Sequence, residues 1–146
     1  MRRLVVVVGW MAFLAVATGG LCNRPPGPPI VYEVPDGFEG WVTIEYGVPG
    51  APPLAREDGS DVVRVPADGK VATSSKYIGW RRGHEYWRVG AGGARTPLPL
   101  SRDVNVDQFP EVTVSGLSTY HSRYTTDLFH VGRTADRAGK PAFVPP

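Results

Sequence analysis

Cys22 is the only cysteine in the 146-residue chain. Without a second thiol there is no intrachain disulfide framework and no zinc site built on paired cysteines. Net charge is equally scarce. Arg2 and Arg3 account for the formal +2, and from Cys22 onward 14 basic residues balance 14 acidic ones. A neutral domain lacks the electrostatic footprint of a nucleic-acid binder, so no nucleic-acid partner is expected. After the first 21 residues, no stretch of ten or more repeats its apolar positions at helical spacing. The chain also lacks internal repeats, a His-Glu-x-x-His run and a Gly-x-Ser-x-Gly elbow. Turn formers are abundant: glycine and proline together make up 33 of 146 residues, which argues for many turns and against a helical bundle.

The N-terminus has the order positive, apolar, small. Met1-Arg2-Arg3 precedes Leu4 to Val16, apolar apart from Gly9, and Ala17-Thr18-Gly19-Gly20 follows. This order is that of an export signal or membrane anchor over residues 1–21, because arginine resists transfer across a bilayer while the apolar run partitions into it. Three fates are open. Ala15-Val16-Ala17 offers a cleavage site that would release a chain beginning at Thr18. The 18 residues from Leu4 to Leu21 are just long enough to stay as an uncleaved spanning helix. Cys22 could instead be the lipidated first residue of the mature chain. The sequence resembles a bacterial lipoprotein in placing its one cysteine there, although Leu21 stands where a small residue is usual. A lone exported cysteine otherwise invites intermolecular oxidation, which favours lipidation.

Residues 22–29 contain four prolines and read as an extended, polyproline-type linker holding a domain away from the membrane. Residues 30–132 read as one β-rich domain. Ile30 to Val34 is the first expected strand. Gly40 to Gly47 alternates most clearly, with Val42, Ile44 and Tyr46 on one face and Trp41, Thr43 and Glu45 on the other. Asp61 to Val65, Lys70 to Thr73, Tyr77 to Trp80, Glu85 to Val89, Glu111 to Val114 and Thr125 to Val131 complete the β-prone set. Ala91 to Pro99 reads as loop by composition, Ser101 to Phe109 is ambiguous, and 133–146 reads as a flexible tail. About seven to eight short strands at this spacing predict an all-β, sandwich-like domain.

Residues 35–54 read Pro-Asp-Gly-Phe-Glu-Gly-Trp-Val-Thr-Ile-Glu-Tyr-Gly-Val-Pro-Gly-Ala-Pro-Pro-Leu. This block resembles a family of bacterial exported, lipoprotein-like proteins whose domain has no assigned function. The resemblance continues through Val65-Pro66, Gly69, Thr73-Ser74-Ser75 and Phe129-His130-Val131-Gly132. It implies an extracytoplasmic domain, membrane-anchored or secreted, and brings no catalytic residues with it.

Candidate chemistry is thin. His121, Asp127 and His130 would be the obvious metal set, but spacings of six and three do not put all three on one strand face. No metal or other cofactor is expected. Cys22 lies outside the domain, away from any histidine partner. The densest cluster runs from Tyr77 to Arg88 and offers Trp80, Arg81, Arg82, Tyr86, Trp87 and Arg88 as candidate binding residues. Aromatic faces stack on sugar rings and arginine forks grip carboxylates, so an envelope glycan or protein is the partner this cluster would suit. The competing reading puts the tryptophans in the core and the arginines in an exposed turn. If Glu85 to Val89 is a strand, Trp87 shares a face with Glu85 while Tyr86 shares the other with His84 and Arg88. The expected function is a non-catalytic envelope binding or structural domain, tethered to the membrane through Cys22 or the N-terminal apolar segment. The alternative is a small extracytoplasmic hydrolase using carboxylates that no motif marks.

Overall fold

The computed structural model describes residues 25–100 and 112–133. Residues 1–21, expected as a signal or membrane anchor, Cys22, the ambiguous stretch 101–109 and residues 134–146 of the expected tail lie outside the described residues. Among the described residues there are nine strands: β1 (Ile30–Pro35), β2 (Gly40–Tyr46), β3 (Ala55–Glu57), β4 (Ser60–Arg64), β5 (Lys70–Thr73), β6 (His84–Val89), β7 (Arg95–Pro97), β8 (Thr113–His121) and β9 (Thr125–Gly132). They form a five-stranded sheet in the order β3-β4-β1-β6-β7 and a four-stranded sheet in the order β5-β2-β9-β8. The architecture is the expected all-β sandwich, with both sheets mixed. β1 runs parallel to β4 and to β6, and β2 runs parallel to β5. The cause is the path of the chain, which crosses to the opposite sheet between visits instead of returning by a hairpin.

Alternation sets the core. Ile30, Tyr32 and Val34 of β1 face Val42, Ile44 and Tyr46 of β2, with Val63, Tyr86, Phe129 and Val131 filling the space between. The other face of β1 is buried as well, flanked by side chains from neighbouring strands, and Glu33 falls on it. A buried carboxylate needs partners. Register places Arg64 beside Glu33, and Arg64 Nε lies 3.0 Å from the carboxylate. Arg95 grips the same carboxylate from β7, and both arginines also reach Glu57.

The blocks that carry the family resemblance interlock physically. The Thr73 hydroxyl donates to the Pro52 carbonyl at 2.8 Å, and the Leu54 amide donates to Ser75 Oγ at 2.9 Å. The Val48 amide bonds the Thr73 carbonyl. The Thr-Ser-Ser segment therefore pins the proline-rich loop, which has no strand partner of its own.

One strand lies where none was expected, and two local expectations change. Ala55–Glu57 is a strand, joined to β4 by Asp58-Gly59, whose positive φ values of 47° and 79° make the tight hairpin turn. Arg95–Pro97 is a short edge strand inside the segment expected to be loop. Tyr77 to Trp80 is not a strand. Tyr77 packs edge-on against Tyr46 and His121, so the segment closes one end of the sandwich instead of extending a sheet. The linker expectation also shifts: Gly27 bridges Arg81, and Pro28 and Pro29 accept hydrogen bonds from Arg81 and Asp61. Residues 27–29 are thus part of the fold.

Gly69 has φ of +71°, and a Cβ there would lie 2.4 Å from the Trp41 carbonyl oxygen. Gly37 has a similar φ of +78°, with open space around it. Gly37→Ala should therefore lose about 1–2 kcal/mol, the cost of the left-handed conformation alone. Gly69→Ala should lose roughly 3 kcal/mol or more, because backbone must also move. Urea unfolding of both variants checks the order, and equal losses would refute the backbone clash.

Candidate functional site

The six residues of the Tyr77 to Arg88 cluster do not form one surface. β6 alternates, so Tyr86 enters the core while Trp87 turns outward, where its indole N–H donates to Glu85 Oε2 at 3.1 Å. Arg88 is half-buried near the opposite end of the strand, with Nε 3.7 Å from Asp36 Oδ1. Adjacent residues in the preceding loop also part company. Trp80 is 80% exposed and Arg82 is exposed, but the Arg81 side chain is only 3% exposed. Its guanidinium donates to the Pro28 carbonyl at 3.2 Å and to Asp61 Oδ2 at 2.7 Å. Asp61 opens β4, Pro28 leads into β1 and Arg81 precedes β6. One arginine thus straps the starts of three parallel strands.

At this same end lies a cleft lined by aromatic and polar side chains from both sheets. Tyr32 and Tyr86, register partners on β1 and β6, stack with centroids 4.6 Å apart, and Phe129 meets both edge-on at 5.3 Å. His84, two residues before Tyr86 on β6, also stacks with Tyr32, its Nδ1 3.4 Å from the phenol oxygen. From the other sheet, Asp127 accepts a 2.8 Å hydrogen bond from the Thr119 hydroxyl and interacts with the Tyr46 hydroxyl. Tyr77, His84, Thr119 and Asp127 border a cavity of about 60 Å³. That volume holds a few waters or the polar tip of a larger molecule, well short of the roughly 300 Å³ that encloses a small ligand.

Burial governs the ionisation of this cleft. It raises the Tyr32 and Tyr46 phenols, so both stay neutral across the physiological range. It also pushes the Asp127 carboxyl above its ordinary range, against hydrogen bonds from Thr119 and Tyr46 and the charges of His84 and Arg81. Periodicity alone could not reveal this group, since its members come from β1, β2, β6, β8 and β9. The available signal was the inward set Tyr32, Tyr46 and Asp127, polar-tipped residues at positions alternating with core ones.

The residues weighed as a metal set diverge. Asp127 lines the inter-sheet cleft, whereas His130, three positions along β9, points to the opposite face and meets Trp41 edge-on at 5.2 Å. Among the described residues no three His, Cys, Asp or Glu side chains converge on a metal-sized space.

Two outcomes follow from this geometry. Arg81→Ala should destabilise the domain by about 3 kcal/mol, because it strands a partly buried Asp61. Arg82→Ala, its exposed neighbour, should stay within about 0.5 kcal/mol of wild type. Thermal or urea unfolding separates them, and equal effects would contradict the strap. Asp127 has a raised folded-state pKa, so its contribution favours the fold below the unfolded carboxylate pKa and is lost as pH rises through the folded value. Asp127→Asn should therefore raise the denaturation midpoint at neutral pH, and the gain should shrink toward about pH 4. A variant less stable at neutral pH would mean that the hydrogen bonds to the carboxylate outweigh its desolvation.

A search of curated proteins finds no match to the chain. Among solved structures it is similar to a crystal structure described as "Putative Lipoprotein from Bacillus anthracis", at 25% identity over 80% of each chain with a TM-score of 0.53. A model for a family of unknown function, DUF6843, matches residues 28–137. That span includes all nine strands, Arg81 and the tyrosine-lined cleft. The chain belongs to the DUF6843 family.

Proposed function

We propose that this protein is a lipid-anchored extracytoplasmic domain, held at the membrane through Cys22, with a non-catalytic binding or structural role in the cell envelope. The observation that carries the reading is the position of the sole cysteine. It stands directly after the apolar N-terminal run and five residues before Gly27, the first residue bonded into the fold. Two acyl chains on that thiol suffice for stable anchoring at about 0.8 kcal/mol per buried methylene. Similarity to a structure described as a lipoprotein supports the same reading.

The binding role favours a macromolecular partner over an enclosed small ligand. A cleft of about 60 Å³ admits one protruding group, such as a hydroxyl, amide or carboxylate of a glycan or protein. The hydrolase alternative rests on Asp127, since burial raises the pKa of its carboxyl, the direction a general acid requires. The usual pair of glycosidase carboxylates sits about 5–9.5 Å apart, and Asp127 is the one carboxylate among the residues lining this cleft. The binding reading therefore needs fewer additions.

Intact mass and detergent-phase partitioning, beside Cys22→Ala, test the anchor. Wild type should carry a diacylglyceryl mass and enter the detergent phase, and the variant should lose both. A soluble chain beginning at Thr18 would overturn the tether. Turnover of peptidoglycan or polysaccharide, abolished in Asp127→Asn, would establish the hydrolase instead.

A further inference from the structure

Trp80 is the most exposed large apolar side chain among the described residues, yet its backbone is firmly held. The Gly27 amide donates to the Trp80 carbonyl, and the Arg82 amide donates to the Gly27 carbonyl at 3.2 Å. Between them, Arg81 is locked to Asp61. Approach is so close that a Cβ on Gly27 would lie 2.5 Å from Ile78 Cγ2. The indole is therefore displayed from a rigid support, beside a shallow hollow formed by Pro25, Gly27, Tyr77, Ile78 and Gly79. Rigid exposure of a tryptophan gives up burial free energy unless something covers it.

The chain itself points to what covers it. Gly27 is five residue steps from Cys22, a reach of about 16 Å even in an extended polyproline conformation. Acyl chains on Cys22 thus hold the Trp80 loop within that distance of the leaflet. Charge agrees. Residues 74–84 include Lys76, Arg81 and Arg82 and no acidic residue, although the domain as a whole is neutral. With Arg81 neutralised by Asp61, exposed Lys76 and Arg82 flank Trp80. Indole at headgroup depth with cations beside phosphates is the composition of an interfacial contact.

We infer that the Trp80 loop, with Lys76 and Arg82, is a membrane-contact surface that seats this end of the domain on an anionic phospholipid leaflet. The inference rests on the proposed lipidation of Cys22 and adds an orientation to it: the Arg81 strap and the tyrosine-lined cleft lie at the membrane-proximal end.

The test uses the full chain, processed in a bacterial host and reconstituted into phosphatidylethanolamine–phosphatidylglycerol vesicles containing brominated lipid. Bromine quenches only tryptophans at the bilayer, and Trp41 and Trp87 are both half-buried in the domain. Wild-type emission should be quenched, and Trp80→Phe should lose more than half of that quenching while remaining vesicle-bound. Arg82→Glu should weaken quenching on these vesicles more than on neutral phosphatidylcholine. A protein that carries the acyl mass but is quenched equally in wild type and Trp80→Phe, or not at all, overturns the contact and leaves the anchor standing. A chain without the acyl mass overturns the anchor, and the contact with it.

Discussion

The double-sided burial of β1 is the constraint on which the rest of the structure depends. Ile30 to Val34 are buried on both faces of the strand, so each of these side chains must be satisfied by packing or pairing. Toward the sandwich interior, Ile30, Tyr32 and Val34 meet this demand with apolar area. On the outside, Glu33 meets it with Arg64 and Arg95. A carboxylate in that position would be untenable alone, and the two arginines tie β4 and β7 to the centre of the sheet.

Parallel pairing has a second consequence. Strands β4, β1 and β6 all begin at one end, which leaves three chain entries close together. Arg81 crosses that end to reach Pro28 and Asp61, and Gly27 is drawn against the Trp80 carbonyl. The segment leading back to Cys22 therefore leaves the domain at the end where the cleft opens. Tyr77 borders both the cleft and the hollow beneath Trp80, so the polar network and the exposed tryptophan share a wall.

The cleft is a product of side-chain length. Toward the Gly40 end of β2, Val42 and Val131 are fully buried in the inter-sheet gap. Toward the Tyr46 end, tyrosines take the place of the smaller residues. Their rings continue the core, while their hydroxyls need hydrogen-bonding partners. His84 meets the Tyr32 hydroxyl and Asp127 meets the Tyr46 hydroxyl, while Thr119 donates in turn to Asp127. The result is a polar terminus on an apolar core, with burial keeping its phenols and its carboxyl toward their neutral forms.

Much of this was legible in local pattern. The alternation of Val42, Ile44 and Tyr46 fixed the inward face of β2, and Val63 and Val65 did the same around β4, because strand periodicity is a short-range property of the chain. The hairpin at Asp58-Gly59 was not among the expected elements, because the three residues of β3 are too few to show a period. The fate of the Tyr77 to Arg88 cluster was legible only in part. Strand alternation alone separates Tyr86 from Trp87, but nothing local distinguishes Arg81 from Arg82, since what differs is an aspartate twenty residues upstream. The sequence by itself determined the β-rich class, the faces of the longer strands and the lone cysteine ahead of the domain. Tertiary structure alone decided which arginine is buried, which tryptophan is displayed and which acid shares a cleft with tyrosine and histidine. Those outcomes depend on pairing between distant strands, and no window of neighbouring residues contains it.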